Sequence, residues 1–234
     1  MSQLKLYTSE ICPYAQRTRI VMGEKGINHE VVEIDIADKP DWFVQLTPGQ
    51  RVPVIDHDGF ILWESATIDE YLDATFDNVA LRSDDERERA IMRNEIRYFD
   101  NIYLPQLYKL LFEQSLNQQA VVRHAVRREM QFLENRLREI QGETGPYWMG
   151  SEYGLADISM YPFFERLEVF EHYRGLTIPN DCPRLVRWLN AVRLRPAVAA
   201  TAHTTAWYIP EYVAYANGQG SGVSAQAFRS GSAN

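Results

Sequence analysis

The sequence predicts two units in series: a small α/β unit over residues 1–76 and an all-helical unit over residues 85–217. Three observations carry this. Short apolar runs interleave with helical spacing as far as Phe76, in the order β-α-β-α-β-β-α of a small mixed sheet covered by helices. Residues 77–84 are polar and aperiodic, which marks a linker. Beyond them only helical spacing recurs, until residues 218–234, a Gly-, Ser-, Ala-, Gln- and Asn-rich tail expected to be flexible.

Each element has a local cause. Leu4-Lys5-Leu6-Tyr7 alternates as a strand does, and Pro13 suits the first position of a helix running to Lys25, which makes Cys12 its cap. Gly26-Ile27 stops that helix, and His29 to Asp35 reads as the second strand. Pro40 and Asp41 start a short helix, and Thr47-Pro48-Gly49-Gln50-Arg51 is a loop. Val52–Ile55 and Phe60–Trp63 form a hairpin across His57-Asp58-Gly59, and Ala66 to Phe76 returns to helical spacing. In the second unit, Asp85 to about Phe112 predicts a long helix broken or kinked near Pro105. Gln118–Gln141, Leu155–Tyr173, Pro183–Val192 and Arg195–Ala202 predict four more.

Composition narrows the function. A net charge of −8 and a pI near 5.2 exclude a general nucleic-acid binder, which meets phosphates with a basic face. Two cysteines do not make a secreted disulfide scaffold, so a reducing cytoplasm is expected. No signal-like leader and no apolar run of about 18 residues is present, so no membrane association is expected.

Cys12 is the centre of the chemistry. A cysteine at a helix start meets unpaired N–H groups and the positive end of the helix dipole, so its pKa is expected to fall and its reactivity to rise. Ala15 stands where a Cys-x-x-Cys motif has its second thiol. Cys182 is 170 residues away beside Pro183, where it packs at a helix start. A redox cycle at Cys12 therefore needs a thiol from outside, a small thiol cosubstrate, and no metal.

Other residues read as receptors for such a molecule. Pro53 at a strand start can be cis or trans; the cis form would let Val52 offer its N–H and C=O to an extended peptide. Ser65 at a helix start can hold a carboxylate and Glu64 an ammonium, although the two also read as a simple capping pair. Lys39 offers a further cation.

Cys12-Pro13-Tyr14-Ala15-Gln16-Arg17, Lys39-Pro40-Asp41-Trp42-Phe43, Val52-Pro53-Val54 and Trp63-Glu64-Ser65, in this order, resemble the glutathione transferase superfamily, and within it the cysteine-bearing omega class. The resemblance spans residues 3 to about 205. It implies a thioredoxin-like N-terminal domain, an all-α C-terminal domain, glutathione as cosubstrate and a homodimer. Residue by residue, it implies that Cys12 faces the glutathione sulfur. Val52, before a cis Pro53, pairs with the cysteinyl backbone, Glu64 and Ser65 hold the γ-glutamyl end, and Lys39 holds the glycine carboxylate. One departure is Gly154, where the family usually has Ser or Thr capping the helix that carries Asp157.

For the second substrate, such a fold points to the first long helix of the C-terminal half, with Tyr98, Phe99 and Tyr103, together with Tyr14. The aromatic segment Trp207, Tyr208, Tyr212 and Tyr215 could close as a lid. Flat rings with polar tips suit a small aromatic acceptor. Together with the Gly-rich end, this segment also resembles the bacterial omega-like lyases that remove glutathione from aryl ketone thioethers. The expected activity is a thiol transferase or reductase forming a Cys12–glutathione disulfide, acting on glutathionyl aryl ketones or quinones, mixed disulfides or dehydroascorbate. The alternative is a non-enzymatic partner of RNA polymerase, like the starvation-induced proteins of this fold, which generally lack the cysteine. The chloride-channel relatives share the cysteine motif, but Arg17, Arg19, Glu24 and Lys25 make the first helix a poor membrane span.

Overall fold

Leu4–Thr8 forms strand β1 at the centre of a four-stranded sheet, in a computed structural model that describes residues 3–142 and 145–220. β2 (Glu30–Glu33) lies parallel to β1 on one side. β3 (Val54–His57) runs antiparallel on the other, followed by β4 (Phe60–Trp63), for a spatial order β2-β1-β3-β4. The hairpin turn is tight, as expected, with Asp58 and Gly59 at φ of 53° and 88°. Positive φ at both central residues matches the right-handed twist of the flanking strands, and glycine adopts it without steric cost.

Helices α1 (Pro13–Glu24), α2 (Asp41–Val44) and α3 (Ser65–Thr75) complete the first unit. Leu4, Leu6 and Ile55 pack in one core with Ile20 and Val21 of α1 and Ile68 and Leu72 of α3. Val54 belongs to a smaller cluster with Ile34, Phe43 and Val52. The period-2 pattern of β1 thus gives each face of the sheet its own apolar partners.

The second unit is helical throughout. α4 (Glu86–Tyr98) starts at Asp85, whose carboxylate accepts from the N–H groups of Arg87 and Glu88. It passes without a break through a π-helical turn, Phe99–Tyr103, into α5 (Leu104–Phe112). The expected break at Pro105 takes this form: the proline occupies the first turn of α5 and the ladder widens just before it. α6 (Leu116–Gln141) follows as predicted. The single helix expected over Leu155–Tyr173 is two, α7 (Leu155–Glu165) and α8 (Leu167–Arg174), separated at Arg166 with ψ near 5°. α9 (Pro183–Arg193) and α10 (Pro196–Thr201) match the prediction, and Cys182 is buried at the start of α9.

A last helix, α11 (Thr205–Ala216), was not expected from the sequence. Pro210 masks it, but Thr204 caps it by accepting from the Trp207 N–H, and Tyr208 and Tyr212 bury its inner face. The Gln219 N–H closes its end on the Ala214 carbonyl. Of the tail expected to be flexible, residues 221–234 lie outside the described residues.

α7 runs through the middle of the molecule, with Leu155 to Phe164 all buried, and packs against α1, α4 and α9. Its start explains the unusual cap. A Cβ on Gly154 would stand 2.4 Å from the Leu81 carbonyl oxygen, which the Leu155 N–H engages at 2.8 Å. Asp157 still closes its half of the cap on the Gly154 N–H, at 2.9 Å. Its other oxygen accepts from the Trp148 N–H and the Trp188 indole, both at 2.7 Å. Among the described residues no helix is long and apolar enough to cross a membrane.

Candidate functional site

A groove of about 460 Å³ opens where α1, the β3 loop and the start of α3 face α4, α5 and α11. Cys12 is the cap of α1, in extended conformation, with its N–H on the Ser9 carbonyl at 3.0 Å. Cys12 is half-buried and lines the groove, its Sγ 3.8 Å from the Val52 carbonyl oxygen, to which the thiol donates. The amides of Ala15 and Tyr14 point at the sulfur, as a helix start requires. The expected fall in pKa is nevertheless corrected: burial pushes the Cys12 thiol up, and outweighs those two amides and the charges of Arg166 and Arg19.

The Val52–Pro53 peptide is cis, as the resemblance implies. Glu64 has φ 72° and ψ 112°, a left-handed conformation that a non-glycine residue adopts only under strain. Its carboxylate makes no cap hydrogen bond to α3, so Glu64 and Ser65 are not the simple capping pair that the sequence also allowed. Ser65, the first residue of α3, is buried, and its Oγ accepts from Arg17 Nη1 at 3.3 Å. With that lone pair engaged, the single hydroxyl proton of Ser65 is available to an acceptor in the groove.

Arg17 is buried and crosses the domain joint. It donates to the Ser159 carbonyl of α7 at 2.7 Å, pairs with Asp100 at 2.6 Å, and lies 4.9 Å from the rings of Tyr14 and Phe163. Lys39 lines the groove beside Arg51, whose charge adds to partial burial in lowering the lysine's pKa. Two cations facing one place form a receptor for an anion.

Of the expected site residues, Cys12, Tyr14, Lys39, Val52, Pro53, Glu64, Ser65, Tyr212 and Tyr215 all line this groove. Tyr98, Phe99, Tyr103 and Trp207 do not, a correction with a physical cause. Phe99 and Tyr103 stack at 4.9 Å inside the core, both fully buried, and Tyr98 turns outwards to Phe132 and the Glu129 carboxylate. Trp207 stacks on His203 at 3.9 Å. From the helical unit the groove is lined instead by Ile96, Arg97, Asp100, Asn101, Tyr108, Phe112, Tyr212 and Tyr215. Arg97, Asn101, Tyr108 and Phe112 share one helix face, at spacings of 4, 7 and 4, and that pattern was available in the sequence.

The fold and this groove have relatives. Residues 6–80 match the family model described as glutathione S-transferase, N-terminal domain, and residues 117–191 the one described as glutathione S-transferase, C-terminal domain. Glutathione S-transferase omega-1 of Sus scrofa is 32% identical over 202 residues, covering 84% of this chain and 79% of that protein. The chain belongs to the glutathione transferase family. Omega-2 of Rattus norvegicus is 33% identical over 84% of this chain and 77% of its own. Among solved structures, glutathione transferase Omega 3C from Trametes versicolor superposes with a TM-score of 0.79 at 25% identity, covering 90% of each chain.

Proposed function

We propose that this transferase is a glutathione-dependent thiol transferase that works through Cys12. The observation that carries the reading is the Cys12 sulfur against the Val52 carbonyl in a groove that Glu64, Ser65, Lys39 and Arg51 also line. That spread suits glutathione. The Val52 backbone pairs with the cysteinyl unit, Ser65 and the start of α3 take the γ-glutamyl carboxylate, Glu64 takes the ammonium, and the two cations take the glycine carboxylate.

In the first step the Cys12 thiolate attacks the glutathionyl sulfur of the substrate. A Cys12–glutathione disulfide forms and the bond from that sulfur to the acceptor breaks, its electron pair leaving with the acceptor. A mixed disulfide releases a thiolate; an aryl ketone thioether releases an enolate, which takes up a proton. In the second step glutathione thiolate attacks the disulfide, giving oxidised glutathione and restoring Cys12. For a mixed disulfide the net change is an exchange, one thiol consumed and one released; for an aryl ketone thioether the acceptor carbon gains two electrons, supplied as its thioether sulfur and one glutathione thiol join in a disulfide. A wall of Tyr14, Tyr108, Phe112, Tyr212 and Tyr215 favours aryl ketone and quinone conjugates as acceptors. The family resemblance adds a homodimer, and the sparse cysteines a reducing, cytoplasmic setting.

The test is the intact mass after incubation with oxidised glutathione. Wild type gains one glutathionyl group that reduced glutathione removes, and Cys12→Ala gains none. An unmodified wild type, or an equally modified alanine variant, rules the mechanism out.

A further inference from the structure

The loop that presents Cys12 is braced from within by two guanidiniums. Arg19 donates to Thr8 Oγ1 at 2.9 Å and to the carbonyls of Ser9 and Glu10 at 2.8 and 3.2 Å. Arg166, at the joint between α7 and α8, reaches the next carbonyl, that of Ile11, at 3.3 Å. Three successive carbonyls before Cys12 are thus held by positive charge.

Arg166 is the unusual member of the pair. It is 1% exposed. Its Nη1 donates to Gln16 Oε1 and to the Pro162 carbonyl, both at 2.6 Å, and its guanidinium lies 4.3 Å from the Tyr208 ring. Its Nε has no partner. Among the described residues it forms no salt bridge, whereas the equally buried Arg17 has Asp100. The adjacent Glu165 is engaged elsewhere, by Gln16 Nε2 at 2.9 Å and the Tyr208 hydroxyl at 2.6 Å. Glu165 therefore acts on Arg166 only through space, and a buried cation without a directly paired anion favours a further negative charge arising beside it. The tyrosines around it, Tyr108, Tyr208 and Tyr212, are themselves pushed up by burial and stay neutral. Cys12 is the remaining acid.

We propose that Arg166 is a positioning residue for Cys12, its buried guanidinium tied to the Ile11 carbonyl and serving as the counter-charge that the thiolate meets when it forms. The inference rests on the reading of Cys12 as the exchanging thiol. The other groups facing the sulfur do not replace Arg166. Tyr14, Tyr108, Tyr212 and Tyr215 are kept neutral by burial and supply no charge, Lys39 is only partly buried beside Arg51, and Arg19 lowers the thiol's pKa less than Arg166 does.

The experiment follows alkylation of Cys12 by iodoacetamide from about pH 6 to 10.5, located by peptide mass, in wild type, Arg166→Gln and Arg166→Lys. Adduct formation with oxidised glutathione is measured in parallel. Arg166→Gln is expected to shift the alkylation midpoint up by about one pH unit, roughly tenfold slower at pH 8, while Arg166→Lys stays within about threefold of wild type. A folded Gln variant with the wild-type midpoint overturns the proposal. If the Gln variant does not fold, a folded Lys variant displaced by a full unit overturns it too, because geometry and not charge then governs the thiol. Wild type that forms no glutathione adduct, with the Gln shift still present, overturns the transferase reading and leaves the role of Arg166 standing.

Discussion

The two walls of the groove are built from different materials. On the sulfur side the contacting groups come from residues 11–66, and those nearest the thiol are main-chain atoms: the Val52 carbonyl and the amides of Tyr14 and Ala15. On the acceptor side they run from Ile96 to Tyr215 and consist chiefly of side chains, five of them aromatic or guanidinium. A main-chain receptor depends on backbone conformation, which a few neighbouring residues dictate. A side-chain wall depends on how distant helices rotate against one another. The first can be kept while the second varies, so under the proposed function the sulfur side would set the cosubstrate and the other side the specificity.

The largest effect tests the sulfur side directly. Cys12→Ala should abolish glutathionyl transfer while leaving glutathione binding within a few-fold of wild type, as measured by calorimetry. Loss of both would mean that the thiol organises the site and does not only react.

Ser65→Ala should weaken glutathione binding by roughly tenfold or more, the worth of a hydrogen bond to a charged group, with little change in the affinity for the acceptor. Equal losses for both ligands would erase the division between the walls.

A third prediction concerns a cost buried under the sulfur side. Asp69, on α3 one turn from Ser65, accepts from the Thr18 hydroxyl at 2.7 Å, while its other oxygen has no partner. Burial raises its pKa to about 7. Asp157, equally buried but holding three donors, reaches only about 6. Because the folded value of Asp69 lies above the unfolded one of about 3.9, its stabilising contribution is present below pH 4 and lost as pH rises to 7. The loss is on the order of 4 kcal/mol. Asp69→Asn should flatten the melting temperature against pH, with its advantage over wild type appearing above pH 7. An unchanged slope would show that this carboxyl does not titrate in that range.

The smallest effects separate core from wall. Tyr103→Phe removes a buried hydroxyl that has no partner and should leave acceptor KM unchanged, with stability equal or slightly higher. Tyr215→Phe, on the groove side, should change acceptor KM by about twofold to tenfold and leave glutathione KM alone. The reverse pattern would return Tyr103 to the acceptor site.

This division also explains what could be read from the sequence. The strand, Cys12, Pro13 and α1 lie within a few residues of one another, and their geometry is local, so the thiol, Val52, Glu64 and Ser65 were legible. The direction of the thiol's pKa was not, because it depends on burial by residues as distant as Tyr212. The acceptor wall was misread at Phe99 and Tyr103, whose rings suit an acceptor but lie off the helix face that Arg97, Asn101, Tyr108 and Phe112 share, and fill the core instead. α11 went unseen because Pro210 breaks the signal that its caps and buried tyrosines supply.

Arg17 has a consequence for more than the site. One side chain holds Ser65, the Asp100 carboxylate at the groove wall and the Ser159 carbonyl in the central helix. The energy of docking the two units and the energy of gripping a carboxylate at Ser65 therefore share a term. By linkage, a ligand seated there makes the units harder to pull apart, and any strain that opens the joint loosens the ligand by the same factor. Glutathione would then act as a clasp as well as a reagent.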